Sequence, residues 1–371
     1  MKKTAKDRLK ETFPLAERLY KKMTAKRWPT NSIVYYVGKH KDGLTPLSLK
    51  EGTSGAHAAV IYLCKEWAKL GYEVTVYSTC GDREGVYDGV TYVNYYKMNW
   101  EDTFETLIIW KHPTQLRPEA KAKRIWLEWQ DVVYPEAAFA PEILARYDKI
   151  FIKSHYQRGL LPHEADEKFC LATNGIDESI FELSDKPKDP YKLIYASRYY
   201  RGLESMLQYG WPIIKREVPE AELHLYYGWT IRDMAPRHDE WRQYMTQLMQ
   251  QPGVTDHGKV GQAELLLEKA TAAIHYYACT YEEIDCISVR ESAIVGCVPV
   301  TTDYCVMAEK DYCVKVSGEP KAQATQEAIA YKIVELLKDQ QQLEQIRQQF
   351  KDIPRQETWS NIAKVWISCI K

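Results

Sequence analysis

Two glutamates, Glu283 and Glu291, stand eight positions apart where the pattern predicts a strand end, a loop, a short helix and a stop at Gly296. The free amides at the start of such a helix, with the positive end of its dipole, can bind a diphosphate without any side chain. Carboxylates beside those amides can accept hydrogen bonds from sugar and ribose hydroxyls, which amides cannot do. The segment therefore indicates a site for a ligand that carries a diphosphate and hydroxyl groups.

A purely structural interpretation of the second glutamate is also open. Ser288 and Glu291 have the spacing of a capping box, in which the acidic side chain satisfies a backbone donor at the start of a helix. On the residues alone, both interpretations remain open.

The elements around these glutamates alternate between strand and helix patterns, which is typical of parallel βαβ units. A first series of predicted strands covers 32–38, 73–78, 107–110, 124–127 and 149–152. A helix over 56–70 ends at Gly71, a natural C-cap. After a charged linker with two prolines at 184–190, a second series covers 192–196, 222–227, 272–277 and 298–301. Because ligands bind beyond the carboxyl ends of such strands, two domains of this type are expected to face each other across a cleft.

Length and composition agree with two soluble α/β domains. The chain has 371 residues, more than one ordinary domain core accommodates, and its formal net charge of −1 argues against a surface that binds nucleic acid throughout. No run approaches the roughly 20 apolar residues that span a bilayer, and the start lacks a secretion signal. The nine cysteines are scattered without a Cys-x-x-Cys pair, so neither a disulfide framework nor a zinc site is indicated. A reducing, cytoplasmic location is expected.

The first thirty residues are basic, with ten Lys or Arg against three Asp or Glu. Thr12 as N-cap and Pro14 in the first turn predict a helix with apolar residues at every fourth position. This helix either contacts an anionic lipid surface or a polyanionic acceptor, or packs on its own domain with a solvated basic face. We favour packing on its own domain.

Glu283 and Glu291, followed by the run 296–300, resemble the nucleotide-binding signature of the family-4 retaining glycosyltransferases of the GT-B fold. Further segments resemble that family in the same order along the chain: 173–181, 193–203, 221–228 and 253–262. The resemblance covers most of residues 170–310. The N-terminal half matches more loosely, through the glycine loop 52–55 before the first helix.

The chain departs from the family in two places. The family has an Arg and a Lys, usually five residues apart, that neutralise the leaving diphosphate, whereas this chain has Arg198 and Arg201. Arginine can still pair with phosphate through its forked geometry, and the alternative is two solvated loop arginines. Where members often carry a His-Asp pair near the acceptor, this chain has Gln130 and Asp131, so no imidazole is available there.

The resemblance implies a GT-B fold of two Rossmann-like domains with parallel sheets facing across a cleft. The expected bounds are 1–183 for the acceptor-side domain with its basic extension 1–30, 190–355 for the nucleotide-sugar domain, and 356–371 for a helix that returns to the first domain. The implied catalytic residues are Glu283, Arg198 and Arg201. The implied donor-binding residues are Gly55, Gly228, Ile284, Asp285, Cys286, Ile287, Ser288 and Glu291. Asp131 and His57 are acceptor-side candidates.

The resemblance also implies transfer with retention from a nucleotide-sugar donor to a glycan, a lipid-linked or another hydroxyl acceptor. No Asp-x-Asp segment ends a predicted strand, so no metal and no cofactor are expected. Two alternatives remain: a nucleotide-sugar epimerase of the same architecture and a catalytically silent nucleotide-sugar-binding protein. A dehydrogenase is disfavoured, because no Gly-x-Gly-x-x-Gly follows the first strand.

Overall fold

The computed structural model describes residues 14–231 and 233–370, with side chains from residue 19 onwards. The strands are β1 Ser32–Tyr36, β2 Glu73–Ser78, β3 Gly85–Tyr87, β4 Val90–Asn94, β5 Thr103–Trp110, β6 Lys121–Glu128, β7 Lys149–Ile152, β8 Phe169–Leu171, β9 Asp189–Ala196, β10 Glu222–Tyr226, β11 Val254–Asp256, β12 Ala272–Tyr277, β13 Val298–Thr302 and β14 Val314–Val316.

The α-helices lie mostly between these strands. They are α1 Pro14–Met23, α2 Ser48–Glu51, α3 Gly55–Lys69, α4 Pro141–Leu144, α5 His155–Gly159, α6 Leu203–Ser205, α7 Trp211–Glu217, α8 Asp239–Leu248, α9 Gln262–Thr271, α10 Ile287–Ile294, α11 Gln323–Lys338, α12 Gln340–Phe350 and α13 Trp359–Ser368. A π-helical turn, Met206–Gly210, joins α6 to α7.

Residue contacts divide the chain into two compact units. The first unit holds the described residues up to Thr45 together with Cys64–Ile152 and His163–Cys170. The second unit holds Pro46–Leu63, Lys153–Pro162 and the described residues from Leu171 onwards. The glycine loop 52–55 therefore lies among the residues of the second unit.

The first unit is built on an eight-stranded sheet of order β3-β4-β2-β1-β5-β6-β7-β8. Its central strand β1 pairs in parallel with β2 and β5, whereas the edge pair β3–β4 is antiparallel. Ile33, Val34 and Tyr35 of β1 are fully buried. A strand covered on both faces needs such a continuous apolar run, which is why the sequence identified it.

The second unit is built on a six-stranded sheet of order β11-β10-β9-β12-β13-β14, and all its pairings are parallel. Strands β9 and β12 are neighbours at its centre, and every residue of β12 is buried. Because neighbouring parallel strands end at the same edge of a sheet, the loops after β9 and β12 meet. Those loops carry the predicted arginines and the first predicted glutamate.

Most strands have the bounds expected from the sequence. The predicted linker 184–190 is shorter than expected, because its last two residues belong to a strand. Asp189 and Pro190, expected to resist regular structure, are the first residues of β9. Proline is tolerated at the start of a strand, where its missing N–H removes no central ladder bond. The sequence did not identify β3, β4, β8, β11 and β14, which have three to five residues each and lie at or near the sheet edges.

Helix α1 confirms a helix in the basic segment, although the predicted N-cap Thr12 lies outside the described residues. Leu19 is 54% exposed and Met23 is 85% exposed, so neither apolar side chain is covered by the first unit. Just after the helix, the indole N–H of Trp28 donates to Asp102 Oδ2 at 3.0 Å and fixes this end of the segment. Among the described helices, none combines the length and apolar character that crossing a membrane requires.

Candidate active site in the second unit

Glu283 lies in the loop after β12, where its side chain is 10% exposed and ion-paired with Arg201. Arg201 Nη1 donates to Glu283 Oε1, and the hydroxyl of Tyr277 donates to the same oxygen at 2.7 Å. Burial alone would lower the pKa of Arg201, but the neighbouring Glu283 carboxylate raises it well above its ordinary value. The structure thus brings together a fixed positive charge and a carboxylate that the sequence placed 82 residues apart.

Gly202 makes this approach sterically feasible. Its φ is +110°, and a Cβ at this position would lie 2.3 Å from the carbonyl oxygen of Ala278. Only glycine adopts this conformation readily and fits so close to the end of β12. The loop that carries Arg201 can therefore lie directly against the loop that carries Glu283.

Arg198 is oriented by tyrosines. Its Nε donates to the hydroxyl of Tyr227 at 2.8 Å, and the Tyr195 hydroxyl donates to the Arg198 carbonyl at 2.7 Å. Although burial lowers the pKa of Arg198, Tyr227 and Tyr200 raise it above its ordinary value, so Arg198 stays charged. Tyr227 has a φ of +139°, an unusual conformation for a residue with a side chain.

The start of helix α10 offers backbone donors. Within the described part of the chain, the amides of residues 284–288 donate to no backbone or side-chain acceptor. Cys286, the N-cap residue, has a φ of +64° and provides no side-chain cap. Unpaired amides at a helix start can bind an anion, with the helix dipole adding to the attraction. Ile284, Cys286, Ile287 and Ser288 can therefore contribute to a donor site through their backbone.

Asp285 lies in the same loop, and its side chain forms hydrogen bonds and ion pairs within the protein. It is fully buried, its carboxylate accepts two hydrogen bonds from Arg290, at 2.5 and 3.0 Å, and one from Lys310 at 2.7 Å. Its second oxygen also accepts from the amide of Asn174 at 3.0 Å. Burial alone would raise the pKa of Asp285, but the two cations hold it well below its ordinary value. Any contact of Asp285 with a donor is left to its backbone.

Glu291 does not form the capping box that the sequence allowed. Its Oε2 accepts from Lys269 Nζ at 2.6 Å and its Oε1 accepts from Gln262 Nε2 at 2.7 Å. Lys269 is fully buried and also donates to the hydroxyl of Ser288 at 2.9 Å. The helix begins one residue before Ser288, so Ser288 is not the N-cap. Glu291 is instead held by a lysine and a glutamine of α9.

Two predicted glycines lie close to these elements. A Cβ on Gly55, the first residue of α3, would lie 3.6 Å from Ile287 Cδ1, so the helix start of α3 reaches the helix start of α10. Gly228 follows β10 with a φ of +72°, and a Cβ there would lie 2.9 Å from the amide nitrogen of Lys259. Glycine is required at position 228 by both its conformation and this close approach.

The acceptor-side candidates belong to different units. His57 lies in the second unit, is 1% exposed, and its Nδ1 is 3.4 Å from the hydroxyl of Thr53. Asp131 lies in the first unit, where its carboxylate pairs with Lys111 at 3.4 Å. Their part in acceptor binding stays a prediction.

Several residues at this site were not found from the sequence. Tyr277 and Lys269 contact the two glutamates directly, and Tyr62 and Trp359 line a pocket beside Glu291. The rings of Tyr62 and Trp359 are stacked with centroids 6.1 Å apart. These residues come from separate elements, so no local spacing pointed to them.

Solved structures provide the comparison with known proteins. No protein-family model and no curated sequence matches the chain. Sucrose-phosphate synthase from Thermosynechococcus elongatus is similar with a TM-score of 0.69 and 13% identity, over 91% of this chain and 98% of that one. Anabaena HepE in complex with UDP and glucose is similar with a TM-score of 0.68 and 12% identity, over 91% of this chain and 99% of that one. A glycosyltransferase from Rickettsia africae is similar with a TM-score of 0.64 and 11% identity, over 92% of this chain and 97% of that one.

At sequence identities of 11%, 12% and 13%, the structural similarity establishes the fold alone. The chain has the GT-B fold, with two Rossmann-like units built on mainly parallel sheets, and the two-unit α/β architecture expected from the sequence is confirmed.

Proposed function

We propose that this protein transfers a sugar from a nucleotide-diphosphate sugar to an acceptor hydroxyl, with retention of anomeric configuration and without a metal ion. The observation that carries the proposal is the contact between Glu283 and Arg201 beside the unpaired amides of residues 284–288. Fixed positive charge, backbone donors and a carboxylate are the groups that a sugar diphosphate needs. The solved structure of HepE with UDP and glucose, on the same fold, supports a ligand of this kind.

In the proposed reaction, the bond between the anomeric carbon and the diphosphate breaks and negative charge grows on the leaving group. Arg198, Arg201 and the amides at the start of α10 would stabilise that charge electrostatically. Glu283 would accept hydrogen bonds from the transferred sugar, and Glu291 from the ribose hydroxyls. Retention and metal independence rest on the resemblance of the signature to the family-4 enzymes.

The acceptor is proposed to be a glycan, a lipid-linked sugar or another hydroxyl compound, with Asp131 and His57 as candidate contacts. Peripheral membrane contact through the basic segment is part of the same proposal, as is a cytoplasmic location. The exposed Leu19 and Met23 of α1, next to Lys21 and Lys22, support a surface contact of that segment.

The test measures turnover on a panel of UDP-, GDP- and ADP-sugars, with and without sugar acceptors. Release of the nucleoside diphosphate reports the rate. We expect Glu283→Ala to lower kcat on the order of 100-fold, because a charge-stabilising contact of the transition state is lost. Glu282→Ala is the matched control, since Glu282 is the adjacent glutamate and is exposed. Glu283→Gln, which keeps an acceptor oxygen near Arg201, is expected to fold if the alanine variant does not.

Full activity of both Glu283 variants on the preferred donor would defeat the assignment. An epimer formed from the donor alone would favour the epimerase, and binding without turnover across the panel would favour the silent binding protein.

A further inference from the structure

We infer that Tyr277 is a positioning residue for Glu283 and determines which carboxylate oxygen is offered to the donor sugar. This inference rests on the proposed function. Tyr277 is the last residue of β12, it is 1% exposed, and its hydroxyl is 2.7 Å from Glu283 Oε1. This tyrosine is not part of the family signature, which begins at Glu283, six residues further along the chain.

The hydroxyl of Tyr277 belongs to a short chain of hydrogen bonds. A phenol has one proton, and here it points to the carboxylate, which can only accept. The hydroxyl of Ser197, 3.3 Å away, therefore donates to the Tyr277 oxygen. Ser197 immediately precedes Arg198, so the chain from Ser197 through Tyr277 to Glu283 joins the ends of β9 and β12. Burial raises the pKa of Tyr277 well above its ordinary value, which keeps the phenol protonated as a donor.

Both contacts of the Glu283 carboxylate fall on one oxygen. Tyr277 and Arg201 donate to Oε1, and among the described residues no group donates to Oε2. The carboxylate is thereby held in one rotation, with Oε2 left as the acceptor for a sugar hydroxyl. Without the Tyr277 hydroxyl, Arg201 alone fixes the group, and a single contact leaves rotation about the last side-chain bond less restricted.

The neighbouring Tyr276 provides a matched control. It is fully buried in the same strand, and its hydroxyl has no hydrogen-bond partner in the described structure. Tyr276→Phe and Tyr277→Phe each remove one buried hydroxyl from adjacent positions of β12. Only the second removes a contact with Glu283.

The experiment compares these variants with the wild-type protein on the most rapidly used nucleotide sugar of the panel. We expect Tyr277→Phe to lower kcat about tenfold or more, since a hydrogen bond to a charged group is lost. The affinity for the matching nucleoside diphosphate should stay unchanged, because the hydrogen bonds of the Tyr277 hydroxyl go to Glu283 and Ser197 and to no predicted diphosphate or ribose ligand. Tyr276→Phe should change neither quantity. Ser197→Ala, which removes the donor to the Tyr277 oxygen, should give a smaller fall in kcat with unchanged nucleoside diphosphate affinity.

Each result separates the inference from the proposed function. If the wild-type protein turns over no member of the panel, the proposed function fails. If it is active and Tyr277→Phe matches Tyr276→Phe in kcat, the positioning role is wrong. A parallel loss of kcat and of nucleoside diphosphate affinity in Tyr277→Phe would show general damage to the unit and would also overturn the inference. If Tyr277→Phe does not fold, Ser197→Ala decides, and an unchanged kcat in that variant overturns the inference.

Discussion

Glu291 has two roles at the residue scale that substitution can separate. Its carboxylate balances Lys269, which is fully buried, and it is the proposed acceptor for ribose hydroxyls. Glu291→Ala is expected to lower the free energy of unfolding by about 3–5 kcal/mol, because it leaves a buried charge without its partner. It should also weaken the binding of the preferred nucleoside diphosphate about tenfold. Denaturant unfolding and calorimetric titration measure the two effects.

The double variant Glu291→Ala/Lys269→Met is the control for this prediction. Removing both charges should restore much of the stability, since replacing a buried ion pair by apolar groups is often neutral. The affinity should remain weak. Recovery of wild-type affinity in the double variant would mean that Glu291 acts only on folding.

At the scale of elements, the loop between β12 and α10 is fixed by a buried ion-pair network. Asp285 pairs with Arg290 and Lys310, and Arg290 also pairs with Glu357, just before α13. Helix α10, two loops and the segment before α13 are thereby joined. The network holds the predicted donor loop in place.

This network predicts a pH dependence of stability. The pKa of Asp285 lies well below its ordinary value of 3.8, so below that pH the unfolded chain binds a proton that the folded chain does not. The stabilisation is therefore present above pH 3.8 and is lost as the pH falls further. The free energies of unfolding of the wild type and Asp285→Asn should differ most near neutral pH, and this difference should shrink progressively as the pH falls below about 4. Urea unfolding between neutral and acidic pH measures the difference.

Asp311→Asn is the matched control, because the Asp311 side chain is 85% exposed. The free energy of unfolding of Asp311→Asn should stay close to that of the wild type from neutral to acidic pH. A constant difference between the wild type and Asp285→Asn across the acidic range would contradict the proposed role of the ion pairs.

At the scale of the whole molecule, the described contacts place all the proposed diphosphate and ribose ligands in the second unit. The preferred nucleoside diphosphate at about 100 times its Kd should raise the apparent stability of that unit by roughly 2.7 kcal/mol. Hydrogen exchange should show the largest protection in peptides covering 196–203 and 283–291, and also in the glycine loop 52–55. Strands β1 and β5 of the first unit serve as the internal control. Protection that is largest in those strands would contradict the assignment.

The amino-acid sequence by itself determined the central strands, the alternation of strands and helices, and the pair Glu283 and Glu291. These are local properties: an apolar run marks a strand buried on both faces, and glycine and acid spacing marks a helix start. The short strands near the sheet edges carry no such run and were missed. The sequence also left the capping box at Ser288 open, which the structure replaces by a contact with Lys269.

The tertiary structure alone decided which side chains meet. Tyr277, Lys269 and Gln262 reach the two glutamates from neighbouring elements, and the Asp285 side chain lies at the centre of an ion-pair network. Contacts of this kind depend on the order of strands in a sheet, which brings the ends of β9 and β12 together although Ser197 and Tyr277 are 80 positions apart in the sequence. Local spacing contains no information on that distance, so the partners of each functional residue follow only from the folded chain.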